Sequence, residues 1–272
     1  MEPGFRSPLV DFFRRGEVAR DVRLTAAQGA LAPRAHEQLA LLILLSDDPE
    51  PEISTSANAT LDALPVEPLQ AFLARSDVPE QMRDFFAARG VSPGALPAAD
   101  ASEPLVDAAA DEVVDDTVSE ETAVPEETKD EDEDAAAIQD VSRLSIVQRM
   151  KLGMKGTKAH RARLIRDSNK LVAAAVLSSP KLTESEVEAF AKMANVSEEV
   201  LRTIAMNRTW VKNYGVVAGL TRNPKTPPGI SMQMVQRLNE RDLKMLTMDR
   251  NVPEAVRLAA RKFLRKGPKD MS

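Results

Sequence analysis

The sequence predicts an all-α protein: two helical-repeat, solenoid-like modules joined by a disordered acidic linker. Three observations predict it. Aromatic residues make up only 4% of 272 residues while hydrophobic residues make up 43%, a mixture that suits closely packed helices and suits a sheet poorly. The phrase "NVSEEVLRTIA" (195–205) is nearly repeated as "NVPEAVRLAA" (251–260). The net charge of −6 hides a sharp division: residues 91–137 carry one basic and 16 acidic side chains, and residues 138–272 carry 26 basic and 12 acidic.

The N-terminal module spans 1–90, with helices expected near 8–15, 35–46, 50–63, 66–74 and 79–88. "DDPE" (Asp47, Glu50) and "DVPE" (Asp77, Glu80) place an Asp three residues before a Glu, the spacing of a cap with its reciprocal partner. Pro79 is expected in the first turn, where a missing N–H is tolerated. Residues 91–137 contain no aromatic residue and are rich in Asp, Glu, Pro, Ala and Ser. They cannot bury enough apolar surface to offset the entropy of ordering, so a self-repelling linker is expected there.

The C-terminal module spans 138–272. Helices are expected at 143–154, 157–166, 169–178 and 183–193, the last opened by the capping box of Thr183 and Glu186. Asn195 with Glu198, and Asn251 with Glu254, are read as further caps, with Pro253 in the first turn. Val200, Leu201, Ile204 and Ala205 form one helical stripe. Val256, Leu258, Ala259, Phe263 and Leu264 form another. Helices at 208–221, 228–238 and 240–248 lie between them.

A second internal match aligns "LVAAAVLSSPKLTESEVEAFA" (171–191) with "GVVAGLTRNPKTPPGISMQMV" (215–235) at an offset of 44, pairing Pro180 with Pro224 and Lys181 with Lys225. Degenerate helical units at such a period signal a stacked array. The stretch 215–235 resembles the leucine-rich repeat variant family, whose units carry an Asn-Pro-x-Thr-Pro step between short helices. "LALLILLSDDPEPEISTSANATLDAL" (39–64) resembles a HEAT repeat. The resemblance implies an α-solenoid used as a binding scaffold. Some relatives of the first kind carry a cysteine-ligated iron–sulfur cluster, which this chain, with no cysteine, cannot copy.

Candidate chemistry is sparse. His36 and His160 are the only histidines, one per module, and neither has a partner at ligand spacing. "GMKGTK" (153–158) lacks the four-residue gap of a phosphate-binding loop and reads as a helix–turn–helix joint with Gly in a positive-φ turn. The sequence suggests no catalytic residue, no cofactor and no metal site. The richest electrostatic feature surrounds that joint: Lys151, Lys155, Lys158, Arg161, Arg163, Arg166 and Lys170 form a candidate surface for an anion or an acidic partner. Trp210 and Tyr214, four apart on one expected helix face, form a candidate partner hot spot. Met232, Met234, Met245 and Met248 are expected to fill gaps between helices, or else to supply an adaptable surface.

The expected function is therefore a non-catalytic intracellular scaffold or adaptor for protein partners, not an enzyme. The alternative is nucleic-acid or polyanion binding through the basic module, modulated by contact between that module and the acidic linker. No secretory signal is visible and the longest apolar run, "LALLILL", is too short for a bilayer, so the location expected is the cytoplasm, without membrane association.

Overall fold

A computed structural model describes residues 3–32, 34–101, 104–105 and 141–266. Among these residues the regular structure is fifteen α-helices and two 3-10 turns, with no strand. No described helix is long and apolar enough to cross a membrane. The linker expectation for 106–137 lies outside the described residues.

The chain divides into two compact units. The first comprises residues up to Lys155 together with Ser178–Pro180, and the second comprises Gly156–Leu177 and the remainder from Lys181. The unit boundary thus falls at 156 rather than at the 138 expected for the basic module.

The first unit contains α1 (Pro8–Arg14), α2 (Arg20–Ala27), α3 (Ala35–Leu45), α4 (Pro51–Asp62), α5 (Val66–Leu73), α6 (Glu80–Ala88) and α7 (Ile146–Lys155). Its centre is α3, in which Leu39, Ala40, Leu41, Leu42 and Ile43 are all buried. A helix apolar on every side has to be surrounded, and α1, α2 and α4 pack around it. α7 packs on α2, which is why it belongs with this unit.

The sequence reading missed α2. It has no side-chain cap at Ala19 and only three buried positions, Val22, Ala26 and Ala27. Long-range ion pairs hold it instead. Arg23 reaches Asp48, at 2.6 Å, and Glu50; Arg20 reaches Glu50, at 2.8 Å, and Glu52.

α6 ends in a Schellman turn. Gly90 sits at φ +83, its N–H bonds to Ala87 O, and the Val91 N–H reaches back to Phe86 O. The chain beyond does not leave the unit at 91, where the linker was expected to begin. Gly94 N–H donates to Gln70 O and Ala98 N–H to Ala71 O, both at 2.8 Å. Arg75 grips Ala98 O, and Leu105 N–H donates to the buried Gln38 Oε1 at 2.7 Å.

The repeated phrases do start helices, but not through the expected caps. α6 starts at Glu80 with Pro79 itself as N-cap, and Asp77 pairs instead with Arg75. α4 starts at Pro51 with Glu50 as N-cap and no side-chain cap bond; Asp48 accepts the Glu50 N–H at 3.0 Å besides the Arg23 guanidinium. In "NVSE" the capping side chain is Ser197, which accepts from Val200 N, rather than Asn195. In "NVPE" the Pro253 carbonyl accepts the first helical bonds, from Val256 and Arg257. What DVPE, NVSE and NVPE share is a buried valine just before the start: Val78, Val196 and Val252. It anchors each entry in the core, in the manner of a hydrophobic staple.

The second unit contains α8 (Lys158–Leu164), α9 (Lys170–Leu177), α10 (Glu184–Lys192), α11 (Glu198–Met206), α12 (Tyr214–Arg222), α13 (Pro228–Val235), α14 (Glu240–Met248) and α15 (Glu254–Lys266). α8 packs on α10, α9 on α11, α10 on α12 and α13 on α15, besides contacts between neighbours in sequence such as α14 with α15. Contact with the next helix but one is the geometry of stacked layers. The α10–α12 contact is close because α12 offers glycine. A Cβ on Gly219 would meet Lys192 Cγ at 3.1 Å and Ala191 Cβ at 3.2 Å.

Two predictions follow from the packing and burial. Gly219→Leu overfills the α10–α12 contact and should cost about 1–3 kcal/mol in urea denaturation. Gly215→Ala meets only the end of the flexible Glu188 side chain and should be close to neutral, since Ala favours a helix by roughly 1 kcal/mol.

A further prediction concerns Glu37, 2% exposed in α3. Burial pushes its carboxyl above the ordinary 4.5, against a hydrogen bond from Ser7 and the charge of Arg34. The buried Ser178 hydroxyl beside it also works against the rise, which burial outweighs. A raised folded pKa stabilises below the unfolded value and is lost as pH rises through the folded value. Glu37→Gln should therefore raise the melting temperature at pH 8, change little at pH 4, and flatten the profile between them. His36 acts in the opposite direction. Burial, chiefly, lowers its pKa below 6.5 despite Asp77 at 3.7 Å, so its contribution is lost as pH falls.

Candidate binding surface

The joint at 153–158 positions the first of the basic residues. Gly153 is buried inside α7, and the positive-φ glycines are Gly4, Gly16, Gly29 and Gly90, so neither Gly153 nor Gly156 makes the expected positive-φ turn. The turn is made by Thr157, the N-cap of α8. Its Oγ1 accepts from His160 N, and His160 Nδ1 accepts the Thr157 N–H at 3.3 Å. His160 thus completes a capping box where a Glu or Gln is usual.

The seven basic residues divide between the two units and differ in exposure. Lys151 and Lys155 lie on α7 in the first unit; Lys158, Arg163, Arg166 and Lys170 are exposed in the second. Arg161 is a correction to the sequence reading. It is 4% exposed, and its guanidinium forks onto Glu186 at 2.9 and 3.0 Å while Nη1 donates to Gly156 O at 2.8 Å. A cation so placed organises the interior and offers nothing to an external anion. Lys170 reaches Glu199 at 2.8 Å.

Glu186 also closes the capping box of α10, accepting from Thr183 N at 3.0 Å. Burial alone would raise its pKa, but the hydrogen bonds from Arg161 and Thr183 outweigh it, and the carboxyl lies below its ordinary 4.5. This stabilisation is present above the unfolded pKa and lost as pH falls through the folded one.

A second clamp lies one layer on. Asn223, the C-cap of α12, donates from Nδ2 to Ala191 O and Met193 O at the end of α10, both at 2.9 Å, and accepts Lys225 N at Oδ1. This explains the Asn of the Asn-Pro-Lys-Thr-Pro step. In the offset-44 alignment its counterpart is Ser179, which in the first unit donates to Met154 O at the end of α7, at 2.7 Å. Both positions quench the carbonyl end of an earlier helix.

The expected aromatic hot spot is not one helix face. Trp210 lies in the 3-10 turn Trp210–Lys212, whereas Tyr214 opens α12 after the Asn213 cap. The Tyr214 hydroxyl donates to Asp242, which also receives Arg222, and it accepts the Asn239 N–H at 3.2 Å. Burial, then Asp242, raises the phenol above its ordinary 10. Tyr214, though 42% exposed, is tied by its polar end to α14.

Several large apolar side chains are exposed on this unit: Met206 (74%) on α11, Met232 on α13, Met245 and Met248 (81%) on α14, and Leu258 (53%) on α15. Of the four methionines expected to fill gaps, only Met234 is buried. Spacing alone did not separate these roles, because a methionine suits a gap and a surface equally.

The charges are unevenly spent. Glu188, Glu198 and Glu240 are held four residues on by Lys192, Arg202 and Lys244, and Asp242 by Arg222. Exposed cations such as Lys158, Arg163, Arg241, Arg250, Arg261 and Lys262 leave the unit's surface basic. Among the described residues, no three His, Asp or Glu side chains gather to hold a metal. In the first unit a cavity of about 580 Å³ is lined by Phe13, Arg14, Val18, Arg23, Leu45 and Asp48, with Arg23 already tied to Asp48 and Glu50.

Comparison with protein-family models, with curated proteins and with solved structures finds no match to this chain.

Breaking one side of the buried pair leaves a charge stranded. Arg161→Ala should destabilise the protein by about 3–5 kcal/mol. Arg161→Ala with Glu186→Ala should cost less than the two single changes added together, as urea denaturation of all three variants at pH 7 will measure.

Proposed function

We propose that the protein is a non-catalytic scaffold that binds protein partners through the outer helical surface of its second unit. The observation that carries this reading is the set of exposed methionines and leucine on helices α11, α13, α14 and α15. Apolar side chains gathered on neighbouring helices suit a surface that a partner covers, and methionine adapts to irregular partners. The stacking of α8 on α10, α9 on α11, α10 on α12 and α13 on α15 supports a solenoid scaffold. The repeat classes suggested by residues 39–64 and 215–235 are part of the same proposal, as is an intracellular site of action.

The unpaired excess of exposed cations favours a second reading, in which the same unit binds a polyanion such as nucleic acid. That mode would weaken steeply with salt, as counterions return to the polyanion.

The full chain carrying a photo-reactive methionine analogue should cross-link discrete polypeptides in lysate of its native cells. Met245→Glu with Met248→Glu should remove them, with the circular dichroism unchanged. Identical cross-linking by wild type and variant would overturn the scaffold reading. Salt-sensitive duplex DNA binding by the full chain, without cross-linked protein, would establish the second.

A further inference from the structure

The outer face of α15 presents one apolar side chain inside a ring of cations. At about 100° per residue, Leu258, Arg261, Lys262 and Arg265 fall on one side of the helix. Val256 and Ala260 fall on the other and are buried, where α15 packs on α13 and α14. Leu258 is 53% exposed, and Arg261, Lys262 and Arg265 are all exposed. The one acid of the helix, Glu254, sits in its first turn, where it complements the helix dipole. A ligand suited to this face needs negative charge and short aliphatic groups together. A phosphate backbone supplies the first and has nothing for Leu258.

The chain contains such a segment. Residues 106–124, outside the described part, read VDAAADEVVDDTVSEETAV, with seven acidic side chains, no basic one and five valines. The more densely acidic stretch 126–134, EETKDEDED, has no apolar residue. We propose that segment 106–124 docks on the outer face of α15, its valines against Leu258 and its carboxylates over Arg261, Lys262 and Arg265, so that the chain occupies its own basic surface. The segment starts one residue after Leu105, which Gln38 holds at 2.7 Å, and the next described residue is Val141. The middle of a span of that length reaches up to about 60 Å from its anchors when extended. Within that reach, tethering holds the segment at an effective concentration in the millimolar range. The inference rests on the proposed function only in treating the second unit as a binding surface, to which it adds regulation: an external acidic partner has to displace the chain's own segment.

The test titrates a fluorescein-labelled peptide of sequence 106–124 into the full chain, and into a full-chain variant whose seven acids in that segment are replaced by Asn or Gln. The variant should bind the peptide about tenfold more tightly, the advantage expected when a millimolar internal competitor is removed from a site of roughly 100 μM affinity. Adding Leu258→Asn, or Arg261→Glu with Arg265→Glu, to the variant should abolish binding; these positions are exposed, and circular dichroism checks that each protein folds. Equal peptide affinity for the wild type and the neutralised chain would overturn the proposal. So would indifference to Leu258→Asn, or an equal gain on neutralising only 126–134. A neutralised chain that gains affinity for duplex DNA but none for the peptide would assign the face to nucleic acid instead. Failure of the scaffold reading shows separately, as cross-linking indifferent to Met245 and Met248 while peptide binding persists.

Discussion

Short helices leave many backbone groups without an intrahelical partner, and the rest of this structure depends on how those groups are satisfied. A helix of nine residues, such as α10 or α12, has more orphan N–H and C=O groups at its ends, about eight, than internal bonds along its length, about five. Asn223 answers this directly. Its amide quenches two carbonyls at the end of α10, and its position at the end of α12 fixes the two helices side by side. The close approach needs Gly219, because a side chain there would hold the backbones apart. Capping and packing are one constraint: moving α12 away from α10 would expose a groove and strand the carbonyls together.

The same economy organises the charged residues. Glu186 serves the N-terminus of α10 and the Arg161 guanidinium from α8 at once. Asp242 receives both Tyr214 and Arg222, and Asn239 caps α14 while bonding the same tyrosine. Each of these side chains spans layers. Exposed i,i+4 pairs such as Glu198–Arg202 contribute little to stability, but they neutralise the acids of the second unit. The cations left over are what give that surface its sign, and the methionines between them give it a surface to which a partner can adapt.

Most helices were legible because their signal is local. The buried stripe of α11, the Thr183–Glu186 box of α10 and the apolar core of α3 all announce themselves within about a dozen residues. α2 did not, because its hold on the protein lies in Arg20 and Arg23, whose partners Asp48, Glu50 and Glu52 are some 25–32 residues away. Within the candidate surface, Arg161 read like its neighbours Lys158 and Arg163. Nothing in its own stretch announced a carboxylate 25 residues on. Trp210 and Tyr214 had a helical spacing, yet Asn213 starts a new helix between them. The Gly215–Gly219 spacing in "YGVVAGL" was a usable signal for close helix contact and went unread.

The sequence by itself determined that this protein is helical, where nearly every helix lies, and that its charge is segregated along the chain. These are consequences of residue spacing, turn chemistry and composition, which act over one or two helical turns. The tertiary structure alone decided which cation is buried and which are exposed, which methionine fills a gap and which three face water, and that the chain as far as Leu105 stays bound to the first unit. The physical reason is that burial and pairing are relations between segments distant in sequence. An arginine carries the same side chain at a surface and in a core, and only its surroundings settle what it can bind.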